Sequence, residues 1–360
     1  MTVLERLHLD RNLFYALLAL SFLSLMVVYS AAARDNAVAL GHIGRLALGF
    51  IVLVVLAQVR PENLERWSPY IFGAALILLV LVLAIGTTAK GAARWLNLGF
   101  LKFQPSELMK LALPMMLAWF FVRDGLPPRW SRLGLAFFVI MVPTALIVRQ
   151  PDLGTALLVL ATGFIVMFLA GMSWRIIVPV FALLAAAAPI AWGFMHDYQQ
   201  QRILTLFNPE ADPLGTGYHT IQSMIAVGSG GVYGKGWLNS SQAHLEYLPE
   251  SSTDFIFAVF AEEFGLIGSL LLVGLYIFII MRGMMIAFLA QSVYNRLLAG
   301  GLSLGFFLHV FVNIGMVTGV LPIVGIPLPI LSYGGTSIVT LMAAFGILMS
   351  IQTHRRIVEY

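Results

Sequence analysis

Ten runs of apolar residues, each close to twenty long, decide what this chain can fold into. They fall at about 12–32, 42–59, 68–86, 105–122, 133–149, 153–171, 175–194, 255–281, 296–319 and 334–352. Runs of that length cross a hydrocarbon core as helices, because lipid offers no partner to an unpaired backbone group. The chain is 60% hydrophobic and 11% charged, with a mean hydropathy of +0.91, far more apolar than a soluble domain needs. The expectation is an all-α integral membrane protein of about ten transmembrane helices. One polytopic domain covers 1–360, with a large external loop, about 195–254, between the seventh and eighth spans. Glu5, Arg6, Asp10 and Arg11 precede the first run and no small-residue cleavage site follows it, so it reads as a retained span, not a signal peptide.

With the N-terminus inside, alternate loops on the cytoplasmic side hold 12 of the 21 Lys and Arg residues, Arg6, Arg60, Arg123, Arg282 and Arg356 among them. By the positive-inside rule both termini are then cytoplasmic. That bias accounts for most of the net charge of +4, and no basic run interleaved with aromatics points to nucleic acid. The absence of cysteine excludes disulfides and thiolate catalysis.

Ionisable residues inside a membrane cost about 2.5–3.5 kcal/mol each on insertion scales, so their positions carry information. A polar, glycine-rich run from Gly228 to Gly236 leads through Leu248-Pro249-Glu250 to Asp254, where the eighth span begins. On a helix, Asp254, Ala258, Ala261, Glu262 and Gly265 share one face, with small residues around the two carboxylates. Ser252, Thr253 or Asp254 capping the helix is one reading; a reactive carboxylate at the membrane edge is the other. Glu262 and Glu263 read as partners of buried cations.

Three further places stand out. Before the fourth span lie Lys90, Gly91, Arg94 and Trp95, then Lys102, Gln104-Pro105-Ser106-Glu107 and Lys110. Pro105 suits a first helical position and Glu107 complements the helix dipole, whereas Lys110 either pairs with Glu107 at i,i+3 or binds an anion. Between spans five and six, Arg149 reads as an external contact for an anionic ligand, and Asp152 as the N-cap of the sixth helix. Finally, Asn313 to Met316 precedes a Pro- and Gly-rich connection, Leu321 to Pro329, that runs on through Ser332 to Ser337. It cannot be regular helix; it is either the re-entrant wall of a cavity or a surface loop dipping into headgroups.

No H-E-x-x-H, Walker A or Cys/His cluster is present, and His219 and His244 are a weak basis for a metal site. Ser106 and Lys110 are one residue too far apart for an S-x-x-K acylation motif.

Taken together, these segments resemble the SEDS family (shape, elongation, division and sporulation) of bacterial membrane proteins. The short N-terminus resembles its RodA branch more than its FtsW branch. The resemblance rests on Arg94-Trp95, Gln104 to Glu107 with Lys110, Gln150 to Thr155, Gly228 to Gly236, Ser241-Gln242, Leu248 to Glu250, Thr253 to Phe257, Glu262-Glu263, and Gly325 to Gly335. It implies a peptidoglycan glycosyltransferase that polymerises lipid II at the outer face of the bacterial cytoplasmic membrane during elongation. It also implies a class B penicillin-binding protein as crosslinking partner. The chain departs from the family in Ser251-Ser252-Thr253, where a basic or polar residue usually precedes the aspartate.

An inverting transfer from an α-linked sugar pyrophosphate needs one general base, and Asp254 is the candidate. Lys110, Arg94 and Arg149, with Glu107, are candidates for holding the pyrophosphate. Glu262, Gln104, Asp152 and Ser332 are expected to support them. No protein metal site or cofactor is expected, while a divalent cation on the pyrophosphate, helped by Asp254 and Glu262, stays open. Two rivals are a lipid II flippase and a non-catalytic scaffold for the penicillin-binding protein. The crowding of polar groups toward the external half favours the enzyme.

Overall fold

The computed structural model describes residues 6–89, 92–97, 102–123, 125–194, 200–201, 204–206, 208–209, 216–244 and 250–354. Lys90, Gly91, Leu248, Pro249, Arg355 and Arg356 lie outside them, as does most of the segment 195–215.

Among the described residues, ten long helices stand where the apolar runs predict them. They are α1 (Arg11–Ala31), α2 (Asn36–Ala57), α3 (Pro61–Ile85), α4 (Pro105–Val122), α5 (Trp130–Val148), α6 (Leu153–Leu169), α7 (Trp174–Phe194), α10 (Ile256–Phe288), α11 (Val293–Val317) and α12 (Thr336–Thr353). Eight of these are long and apolar enough to cross a bilayer by themselves, while α6, with 17 residues, is shorter. Their boundaries follow local chemistry. Asp10, Asp35, Asp152 and Ser292 cap α1, α2, α6 and α11 through side-chain oxygens, and Pro61 and Pro105 occupy first-turn positions.

Three features differ from the expectation. A short antiparallel meander, β1 (Thr87–Ala89), β2 (Ala92–Asn97) and β3 (Lys102–Phe103), joins α3 to α4. The expected external loop carries helix α8 (Thr216–Ser229) and a single turn, α9 (Ser241–His244). The eighth span is not one straight helix: Gly265 breaks α10 with φ 65° and ψ −163°.

Small residues let the helices approach closely. A Cβ at Gly346 of α12 would lie 2.6 Å from the Leu53 carbonyl oxygen of α2, and one at Gly301 of α11 would lie 2.6 Å from Val166 of α6. The outer surface of the bundle is apolar, with Leu40, Ile51, Ile77, Leu271 and Phe288 all exposed, as a lipid-facing surface requires.

One end of the bundle gathers the irregular pieces. The α11–α12 connection is buried at Ile326, Leu328, Ile330, Leu331 and Ser332, so it forms a re-entrant wall. Irregular backbone can be buried only if its polar groups find partners. Here side chains supply them. Tyr276 donates to Pro329 O at 2.8 Å, Ser24 Oγ lies 2.8 Å from Ile330 O, and Asn313 Nδ2 reaches Ile326 O at 2.6 Å.

Candidate active site

A cavity of about 790 Å³ opens at that end, bounded by the β-meander, α2, α4, α6, α12, the start of α10 and the re-entrant wall. Six of the nine site residues expected from the sequence line it or flank its lining groups directly: Asp254, Lys110, Arg94, Glu107, Gln104 and Asp152.

Asp254 precedes α10 and does not cap it; Phe255 holds the cap position without a side-chain hydrogen bond. Its place is set through the backbone. Three consecutive carbonyls each take a donor, two from the re-entrant wall and one from α11: Ser252 O from Tyr333 N at 2.8 Å, Thr253 O from Ser332 Oγ at 2.6 Å, and Asp254 O from Asn313 Nδ2 at 2.8 Å. Ser332 also accepts from Leu328 N at 2.7 Å, so its hydroxyl bridges the wall and the segment that carries Asp254. Gly325 stands beside the carboxylate, where an added Cβ would lie 3.3 Å from Asp254 Oδ2.

Opposite stand the cations. Lys110 Nζ meets Glu107 Oε1 at 2.7 Å and His309 Nε2 at 3.0 Å. Arg94, carried on β2, is held by the carbonyls of Gln150 (3.3 Å) and Pro151, with Asp152 at 4.0 Å. Asp152 caps α6 through Thr155 N, as the sequence predicts, and also accepts from Gln104 Nε2 at 3.1 Å.

The structure separates two other candidates from the cavity. Arg149 is the exposed C-cap of α5 and does not line it; the turn that follows presents carbonyls to Arg94 instead. Glu262 is fully buried away from it. The carboxylate accepts from Lys235 (2.6 Å), Ser240 (2.6 Å), Ser241 (2.6 Å) and Gln242 N (3.3 Å). The expected ion pair of Glu262 is present, but the small-residue face of α10 is not open to a ligand. The glycine-rich run covers it, with a Cβ at Gly230 falling 2.1 Å from Ala261 O. Asp254 and Glu262 therefore do not converge on one cation.

Sequence reasoning missed Arg45 and His309, and noted Asn313 without giving it a partner. Arg45 lines the cavity with its guanidinium over the Tyr333 ring, 4.1 Å from the centroid, and its buried Nη1 has no hydrogen-bond partner among the described residues. An arginine inside the apolar run of α2 was itself the available signal. Asn313 and His309 are likewise polar residues within the run of α11.

An apolar groove of about 610 Å³ adjoins the cavity along α6 and α11, lined by Leu157, Phe164, Phe168, Leu308 and Val312. It shares Leu158 and Ile326 with the cavity. A chamber that bears cations and adjoins an apolar groove suits an amphiphile with an anionic head.

Fold and site thus define a multi-pass membrane protein with a cation-bearing cavity beside an apolar groove. Residues 10–357 match the FtsW/RodA/SpoVE family, described as cell cycle protein. The peptidoglycan glycosyltransferase MrdB of Escherichia coli K12 is 52% identical, over 99% of this chain and 97% of its own length. Peptidoglycan glycosyltransferase RodA of Treponema pallidum is 30% identical, over 96% and 98%. Among solved structures, Thermus thermophilus rod shape determining protein RodA has a TM-score of 0.73 at 29% identity, covering 95% of this chain and 96% of that one. A peptidoglycan synthase complex that coordinates polymerization and crosslinking contains a chain with a TM-score of 0.85 at 30% identity, covering 96% and 99%. The chain belongs to the FtsW/RodA/SpoVE family.

Proposed function

We infer that this chain is a peptidoglycan glycosyltransferase in which Asp254 is the general base and the cavity's cations hold the leaving pyrophosphate. One observation carries the reading: Asp254 lines the same cavity as Arg45, Arg94 and Lys110. The activity named for its relatives supports the reaction class.

In this reading the substrate is lipid II, a sugar pyrophosphate on an isoprenoid. Asp254 takes the proton from an acceptor sugar hydroxyl as that oxygen attacks the anomeric carbon. The bond to pyrophosphate breaks on the opposite face, which inverts the carbon and gives a β-linkage. Arg45, Arg94 and Lys110 meet the charge of the departing pyrophosphate. Glu107 and Asp152 orient two of these cations. The isoprenoid lies in the groove along α6 and α11.

The likeness to a synthase complex supports a crosslinking partner, read here as a class B penicillin-binding protein. The reading sets the protein in the bacterial cytoplasmic membrane with both termini cytoplasmic and the cavity at the outer face. Contacts between the two ends of the chain support a shared face: the rings of His8 and His354 stack at 4.2 Å, and Thr353 Oγ1 lies 3.3 Å from His8 O.

The test is polymerisation of labelled lipid II by the purified chain, alone and with its partner, comparing wild type with Asp254→Asn. Loss of a general base lowers the rate by roughly 10²–10⁴-fold, so glycan should vanish while the variant stays folded. Near-normal turnover by Asp254→Asn removes the base from that residue. No glycan from wild type with its partner turns the reading toward a transporter.

A further inference from the structure

Lys110 carries three N–H bonds on a flexible four-carbon stem, and such a charge needs more than one tether to hold a defined place. Glu107, one turn back on α4, supplies the first at 2.7 Å. The second comes from another helix: His309 Nε2 on α11 lies 3.0 Å from Nζ. The far nitrogen of that ring, Nδ1, lies 3.0 Å from Gly305 O. A carbonyl only accepts, so this network assigns the ring proton to Nδ1 and leaves the Nε2 lone pair facing the ammonium. His309 is 5% exposed and does not line the cavity, whereas Lys110 does, so the imidazole sits behind the lysine.

We propose that His309 is a positioning residue for the glycosyl transfer, a neutral acceptor that fixes Lys110 so that its third N–H points into the cavity at the pyrophosphate. This rests on the reading of the cavity given above. The uncharged acceptor matters because Lys110 already faces one carboxylate. A second carboxylate there makes the cluster net negative, which repels an anionic head. An apolar side chain leaves the ammonium tethered only to Glu107, free to fold back along α4.

The probe is farnesyl pyrophosphate, with binding to the full-length chain in lipid-supplemented micelles followed by titration calorimetry. Losing one hydrogen bond to a charged group should weaken binding by about ten-fold in His309→Leu. His309→Gln, whose amide oxygen still accepts, should stay within about three-fold of wild type. His309→Glu should lose as much affinity as Lys110→Met. The double variant Lys110→Met/His309→Leu should bind no more weakly than Lys110→Met alone, because both losses pass through one ammonium.

Wild-type affinity in His309→Leu or His309→Glu overturns the proposal, and so do losses that multiply in the double variant. Should the leucine variant not fold, the glutamine and glutamate variants decide. A readout independent of binding is available in ¹⁵N-histidine spectra of the wild-type chain, assigned by subtraction of His309→Gln. A protonated Nδ1 with a bare Nε2 is expected, and a protonated Nε2 overturns the assignment. If wild type itself binds no farnesyl pyrophosphate, the pyrophosphate reading of the cavity falls and this proposal falls with it.

Discussion

Asn313 spends both protons of its amide on backbone carbonyls, one at Asp254 and one at Ile326, and is fully buried. It therefore ties the residue proposed as base to the re-entrant wall. Asn313→Leu leaves two carbonyls short of a donor at about 1–3 kcal/mol each, and thermal unfolding in micelles should show that loss together with reduced polymerisation. His219 lies near the same place, on α8, with its ring stacked on Phe255 at 5.9 Å. Burial pushes its imidazole below the usual histidine range, and the field of Glu250 offsets only part of that. The folded protein then binds fewer protons here than the unfolded chain, so stability is complete above the unfolded value near 6.5 and declines as pH falls below it. Wild type should lose thermal stability on acidification from pH 7.5 to 5.5 more steeply than His219→Gln. Equal slopes dismiss His219 as the cause. At this scale Asp254, Lys110, Glu107, Gln104 and Asp152 stood out because each breaks an apolar run or flanks a helix start, and Arg94 because it is a basic residue in a motif-like segment between two runs. Arg45 and His309 were passed over because one polar residue inside an apolar span names no partner.

The spans were legible as elements because a hydrophobic run of fixed length admits one solution in lipid. The break in α10 was not. Apolar residues run on both sides of Gly265, and a lone glycine in such a run reads as a tolerated helix position. What requires the break is the loop from Gly228 to Gly236, which pairs with it through backbone bonds. Lys235 N donates to Glu262 O at 3.0 Å, Gly236 N to Glu263 O at 2.9 Å, and Leu266 N to Gly231 O at 2.9 Å. The run is thus a fitted piece, not the flexible feed to Asp254 that its glycines suggest. A Cβ at Gly265 would lie 2.3 Å from Gly234 N, in a backbone conformation open mainly to glycine. Gly265→Ala should cost about 1–3 kcal/mol from conformation alone, before the clash. A Cβ at Gly228 meets nothing within 4 Å, so Gly228→Ala, on helix α8, should be neutral or stabilising by up to about 1 kcal/mol. Comparison of the two unfolding midpoints checks both; similar behaviour of the two variants defeats the account of the loop.

For the whole molecule, orientation is open to direct test because the chain has no cysteine of its own. Tyr233, 84% exposed on the glycine-rich loop, should become labelled as Tyr233→Cys by a membrane-impermeant thiol reagent in intact cells. Arg129→Cys, between α4 and α5, should react only after permeabilisation, and the reverse pattern inverts the proposed topology.

The sequence by itself determined a ten-helix membrane protein, its family resemblance and the segments where charge gathers. Hydropathy, caps and motif spacing act over a few residues, and lipid punishes any alternative. Only the tertiary structure decided which charges meet. It set Arg149 outside the cavity, gave Glu262 to the glycine-rich loop and brought Arg45 and His309 inward from distant helices. Such choices depend on how helices pack and on which buried carbonyls need donors. Those demands arise only when segments far apart in the chain come together.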